Sequence, residues 1–321
     1  MSPRLATSGQ PAGGDLAVIA QAGFEHLINL ALPTSPGALP DEAAAAAACG
    51  LRYLHLPIDF EQPELERALQ LFRALDERRD AHVFVHCAAN KRVSALLSVY
   101  RTLRGDVSFR QARDDLKAIW EPNHTWRRYL VNAAVRAVPR PVRFETARLI
   151  LRDALLTDAE AVQRYAGDPE VVQHMIWGPN TPARTLEVLQ ARVNIHQPDP
   201  ERRAFELMIV EKQSGELVGS AGLRVGDNAA LDADLGYVLA RAHWHRGIMH
   251  EACTKLLEVA FGHLQLHRVW ASTDSENVAS QRVLEKLGLR REAHLVQNDY
   301  VKGRYRDTLI YAITEREYFE H

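Results

Sequence analysis

Residues 235–261 read LGYVLARAHWHRGIMHEACTKLLEVAF. A strand over ADLGYVLAR ends, a short loop carrying Arg246 and Gly247 follows, and an amphipathic helix begins. The N–H groups from Arg246 to His250 at that helix start have no partners within the helix, and the helix dipole favours an anion there. A pyrophosphate suits such a site. Gly247 lets the backbone approach the anion closely, and Arg246 adds charge.

Reading outward, RVWASTDS (268–275) is a strand and NVASQRVLEKLGL (277–289) a helix closed by Gly288, a plausible C-cap. AHLVQNDYV and YRDTLIYAI predict two last strands. Upstream, RAFELMIVEKQSGELVGSAGL is a hairpin with Ser214 and Gly215 in its turn. This half of the chain is expected to open with a helical region and then turn β-rich. Pro139 and Pro141, in AVPRPVRFETARL, resist both helix and central strand. They place a linker at 139–144, between domains 1–138 and 145–321. A chain of 321 residues exceeds one typical domain.

The first half alternates helix and strand. LAVIAQAGFEHLINL gives a helix ending at Gly23 and an apolar strand. LRYLHLPID is a strand, PELERALQLFRALDERR a helix with Leu65, Leu69, Phe72 and Leu75 at helical spacing. HVFVHC is a buried strand and VSALLSVYRTL a helix. A parallel sheet covered by helices is the expected result. Between the last strand and helix lies HCAANKRVS (86–94). A loop at a helix N-terminus favours an anion, and the same field favours a thiolate, which makes Cys87 a candidate nucleophile.

The stretch HCAANKRVS, with TSGQP near the start and a strand ending in IDF, resembles the dual-specificity (tyrosine-type) phosphatases over about residues 4–135. That family's pattern is H-C-x5-R-[S/T]. Cys87 fits the nucleophile and Ser94 the assisting hydroxyl. Asn90 stands where the family prefers Gly, and Asn tolerates the left-handed backbone such a loop needs. Val93 occupies the slot of the phosphate-binding Arg, and Arg92 precedes it. Lys91 supplies charge but not a guanidinium fork. The resemblance makes Asp59, on the loop after LRYLHLPI, a candidate general acid, against a plain turn Asp. A phosphorylated ligand is the partner this half implies.

The pairing of LGYVLARAHWHRGIMHEA with STDSENVASQRVLEKLGLRREA resembles the GNAT acetyltransferases, in their RimJ/RimL-type branch. ETARLILRDALLTDAEAV and DTLIYAI match in family order, over about residues 144–318. The resemblance implies acetyl-CoA as co-substrate, wedged between the LGYVL and RVWAS strands. Backbone groups of Val238 and Leu239 would pair with its pantetheine arm. Arg246, Gly247, Ile248, Met249 and His250 would hold the pyrophosphate, and Asn277 would bond the arm. Where many members have a Tyr that reprotonates the thiolate, this chain has Leu284, which leaves Ser280. Asp234 is a candidate base acting through a water, against a strand-edge Asp in solvent. Glu251 is read as a first-turn acid complementing the dipole, and Trp177 as either a pocket wall or a packing aromatic.

The fold class expected is therefore α/β and α+β: a phosphatase-like parallel-sheet domain followed by a GNAT mixed-sheet domain. The function expected is acetyl transfer to a primary amine, a protein N-terminus or a small molecule. Hydrolysis at Cys87, or phosphate binding without turnover, are the alternatives. His243, His245, His250, His263 and His267 gather without a carboxylate or Cys completing a ligand set, so no metal is expected. A net charge of -2 gives no basic patch for nucleic acid or an anionic membrane. No apolar run has the length of a membrane span, and MSPRLATSGQ has no signal-peptide core. Three scattered cysteines (Cys49, Cys87, Cys253) fit a reducing cytoplasm.

Overall fold

The computed structural model describes residues 4–195 and 202–320. The chain divides into two compact units. The first runs to Ala137 and takes in Gly262–Gln265; the second holds Val138–Phe261 and the residues from Leu266 onward.

In the first unit, β1 (Leu5–Ser8), β2 (His26–Asn29), β3 (Arg52–His55) and β4 (Val83–His86) form a sheet in the order β1-β4-β2-β3. All its pairings are parallel. Parallel neighbours need crossover connections, and the helices Asp15–Gln21, Glu42–Ala48 and Leu65–Asp76 supply them. The alanine run is one of these; Asp41 starts it by accepting from Ala44 N at 3.0 Å. Two further helices, Phe109–Lys117 and His124–Ala137, escaped the periodicity reading. A local signal for the first was present: Ser108 caps it, accepting from Gln111 N at 3.2 Å.

The second unit carries an eight-stranded sheet in the order β11-β12-β10-β9-β8-β7-β6-β5. Its strands are β5 (Arg143–Glu145), β6 (Leu149–Arg152), β7 (Ala204–Glu211), β8 (Leu217–Val225), β9 (Asp232–Leu239), β10 (Arg268–Asp274), β11 (Arg290–Val301) and β12 (Arg304–Thr314). The unit opens with strands, not with the expected helical region. Leu149 and Leu151 are fully buried while Ile150 and Arg152 are half-buried, which is strand alternation. Helices follow only at Ala159–Ala166, Pro169–Val172 and Pro182–Ile195. Arg143 and Phe144, read as linker, already pair with Arg152 and Leu151.

Six of the seven pairings in this sheet are antiparallel; β9 and β10 run parallel. The helix Ile248–Glu258 lies in the connection between them, so it starts beyond the carboxyl end of β9. That is where open α/β sheets place ligands.

Candidate active site

The β9-β10 register covers Asp232–Asp234 against Arg268–Trp270 and then stops. Beyond it, β9 stays bonded to β8 as far as Leu239 opposite Gly219, and β10 stays bonded to β12 as far as Asp274 opposite Thr308. Each strand is held from its outer side while its inner edge opens. Among the described residues no strand faces this side of Leu235–Leu239, which is a strand edge inside a sheet. A cleft of about 750 Å³ fills the opening. Its walls are Leu235–Leu239, Ala271–Asp274, the start of the Ile248–Glu258 helix, the start of the Val278–Lys286 helix, and His174–Trp177.

One end of the cleft is the start of the Ile248–Glu258 helix. Gly247 is the N-cap at φ 72, and His245 is also left-handed at φ 60. Ile248 and Met249 are buried and line this end of the cleft. Arg246 behaves differently from expectation. Its Nη2 lies 2.9 Å from Glu211 Oε1 and its Nη1 3.0 Å from His243 Nδ1, so its charge is already met. Arg282 and Lys286, which sequence reasoning passed over, also line the cleft. Glu251 does more than complement the dipole. It accepts from Thr146 Oγ1 at 2.5 Å, Arg148 N at 2.9 Å and Arg148 Nε at 2.6 Å. Burial opposes its charge, but these bonds outweigh that and hold the carboxyl below its usual value. The helix start is thereby tied to the turn between β5 and β6.

At the other helix, Asn277 is the N-cap, its Oδ1 accepting from Ser280 N at 3.0 Å. Ser280 Oγ lies 2.9 Å from Tyr237 Oη. Leu284 is fully buried. A phenol therefore does reach this end of the cleft, from β9 instead of the helix. Burial pushes the Tyr237 phenol well above its ordinary value, so it keeps its proton at neutral pH. Tyr237 was visible in the LGY motif, but its partner lies 43 residues away.

Asp234 is placed apart from the cleft walls. Its Oδ2 lies 3.2 Å from Arg224 Nη1, and burial pushes its carboxyl up against that pull. Trp177 stands on the wall and is 36% exposed, which suits a pocket wall better than a packed core. His174, Asp274 and Glu276 bring three ligand-type atoms within 4.8 Å of one another. Arg304 lies on both carboxylates, 3.4 Å from Asp274 Oδ2 and 2.6 Å from Glu276 Oε2, so a guanidinium already answers their charge.

In the first unit, Cys87 is buried and follows β4 directly. Asn90 is left-handed at φ 59 and starts the helix Lys91–Leu103, as its place in the loop required. Val93, in the slot of the family Arg, is fully buried. An Arg there would point into the core. One residue earlier is about 100° round the helix, and Arg92 lies with its guanidinium carbon 5.9 Å from the Phe60 ring centroid. Among the described residues, buried Arg92 Nε has no hydrogen-bond partner, and neither do Gln10 Oε1, Asn90 Oδ1 or the two His86 ring nitrogens. His86 Nε2 is 3.2 Å from Glu42 Oε1 but out of hydrogen-bond alignment. Ser94 donates to Lys91 O at 3.1 Å. Asp59 is exposed, and its Oδ1 accepts from Glu61 N and Gln62 N at 2.8 and 3.0 Å, the bonds of a turn Asp.

The opened strand pair and the helix start meet at one cleft. Residues 148–290 match the family model described as Acetyltransferase (GNAT) domain. Residues 1–103 match Beta-lactamase hydrolase-like protein, phosphatase-like domain. An uncharacterised N-acetyltransferase p20 of Bacillus licheniformis is 34% identical over 54% of this chain and 96% of its own length. The spermidine N(1)-acetyltransferase of Vibrio cholerae is 26% identical over 43% of this chain and 78% of its own. A solved GNAT-family acetyltransferase from Bacillus anthracis, 24% identical, covers 55% of this chain and 99% of its own with a TM-score of 0.49. The chain belongs to the GNAT acetyltransferase family and carries a phosphatase-like domain before the acyltransferase. Among the described residues no helix is long and apolar enough to cross a membrane.

Proposed function

We propose that the second unit transfers an acetyl group from acetyl-CoA to a primary amine by direct attack. The observation that carries this reading is the end of the β9-β10 register at Asp234 and Trp270. The freed edge at Val238 and Leu239 suits the two amides of a pantetheine arm, which would add to it as a strand does. The N–H groups from Gly247 to His250 suit the pyrophosphate. Asn277 keeps its amide nitrogen for the arm, since its oxygen caps the helix. Ser280, backed by the Tyr237 phenol, is the proton source for the departing thiolate. The acceptor is an amine of a small molecule or a protein N-terminus; the polyamine of the Vibrio cholerae relative belongs in a first screen.

Acetyl-CoA is expected to raise the melting temperature of the full chain. At a free concentration one hundred times Kd the stabilisation is about 2.7 kcal/mol, or roughly 5–10 °C for a unit of this size. An unchanged transition at saturating ligand would overturn the reading. Tyr237→Phe and Ser280→Ala are each expected to keep that shift while slowing thiol release by roughly 100-fold. A variant that loses the shift as well would place its residue in binding and not in proton transfer.

A further inference from the structure

One wall of the cleft holds a histidine backed by a buried carboxylate. His174 Nδ1 lies 3.1 Å from Asp274 Oδ2, and the Asp274 side chain is 1% exposed. Asp274 Oδ1 accepts from Glu276 N at 2.9 Å, which fixes the carboxylate. The His174 carbonyl accepts from Arg306 Nη1 at 2.9 Å, which fixes the backbone. Lys302 Nζ donates to Val172 O at 2.6 Å and holds the same segment down. Both His174 and Asp274 line the cleft. A carboxylate at Nδ1 selects the tautomer with its proton there and leaves Nε2 as an acceptor. Among the described residues Nε2 has no hydrogen-bond partner. The side chain is 19% exposed and belongs to a residue of the cleft wall.

We propose that His174 Nε2 takes the proton of the acceptor amine, with Asp274 as the positioning residue; this rests on the acetyl-transfer reading above. The amine lone pair attacks the thioester carbonyl carbon. The C–N bond forms, the C–S bond breaks, and the nitrogen proton passes to Nε2. The departing sulfur takes a proton from the Ser280-Tyr237 pair. Solvent then removes the proton from His174 and restores the one lost by the pair, so the cycle closes without another reactant. His174 is preferred to Asp234, which pairs with Arg224 and is not among the residues lining the cleft.

The charges around the ring come from every packed element. Asp274 and Glu276 follow from β10, Arg304 and Arg306 lie on β12, Asp299 on β11 pairs with Arg306, and Lys302 lies in the hairpin turn. On its own segment, Glu170 is taken by Arg241. Of these groups, the Asp274 carboxylate is the one in direct contact with the ring.

The test uses the full chain, spermidine and an alanine-starting peptide as probe amines, and free-thiol release as the readout. His174→Gln should lower kcat/KM at least roughly 100-fold, keep the acetyl-CoA melting shift, and abolish the acid limb of the pH profile. Imidazole added to His174→Gly should restore part of the rate. Asp274→Asn should lower the rate while an acid limb persists at a changed pH. Background hydrolysis of acetyl-CoA is followed alongside, since water must also shed a proton, and should fall with the same substitution. Rates and pH profile close to wild type in His174→Gln would overturn the proposal. So would loss of the melting shift, which would make the segment structural. No melting shift in the wild type would instead sink the acetyl-CoA reading itself.

Discussion

Asp153→Ala is expected to destabilise the second unit by about 3–5 kcal/mol, the cost of leaving one partner of a buried pair alone. The Arg202 side chain is 0% exposed and that of Asp153 is 7% exposed. Two bonds join them, Nη2 to Oδ1 at 2.5 Å and Nη1 to Oδ2 at 3.0 Å. Asp153 Oδ2 also accepts from Val142 N at 2.9 Å, so the same carboxylate fixes the chain just before β5. Arg202 Nε donates to Ala204 O, and the guanidinium carbon sits 5.2 Å from the Phe205 ring centroid. Removing the carboxylate strands a guanidinium that water cannot reach. The transition that acetyl-CoA raises should fall by on the order of 10 °C. Replacing both residues, Asp153→Leu with Arg202→Met, should recover most of the loss, because two apolar side chains leave no buried charge. A double variant no better than Asp153→Ala would show that the stranded charge is not the cause.

How much of this was legible depends on how far apart the determining residues lie. The strand, Gly247 and helix of 235–261 are local, and their order alone placed the helix start on the cleft. Gly288 closes its helix at φ 85 for a reason confined to one turn. Asn90 was equally readable, since a left-handed position narrows the choice of residue. The opening strands β5 and β6 were not. Leu149 and Leu151 show the period of two over only four residues, and their partner β7 is distant in sequence. The fate of Arg246 was hidden because Glu211 meets it from β7, 35 residues earlier. His174 and Asp274 stand 100 residues apart, on elements that share no pattern. In the phosphatase-like loop the sequence showed that Arg was displaced but not why. The structure shows where each goes: Val93 is fully buried, and Arg92, one residue and about 100° earlier on the helix, lies beside Phe60.

Gly219→Val is expected to damage fold and ligand site together, where Gly236→Ala should touch only the second. Gly219 in β8 faces Leu239 of β9. A Cβ there would lie 2.3 Å from Val238 O and 3.0 Å from Leu239 Cα. Those are backbone atoms, which cannot rotate aside, so β9 itself must move. The displaced segment is the free edge proposed to take the pantetheine arm. Overpacking of this kind costs about 1–3 kcal/mol, and acetyl-CoA should then raise the melting temperature by less than half the wild-type shift. Gly236 faces the other case. A Cβ there meets no atom within 4 Å, and the residue lines the cleft. Gly236→Ala should therefore melt within about 0.5 kcal/mol of wild type without ligand. If its methyl takes up room along the opened edge, the acetyl-CoA shift should shrink. Thermal melts of the two variants, with and without acetyl-CoA, separate the outcomes. A Gly219→Val protein with wild-type stability and an undiminished shift would mean that β9 does not depend on this close approach. An undiminished shift in Gly236→Ala would mean that the ligand does not run along the opened edge.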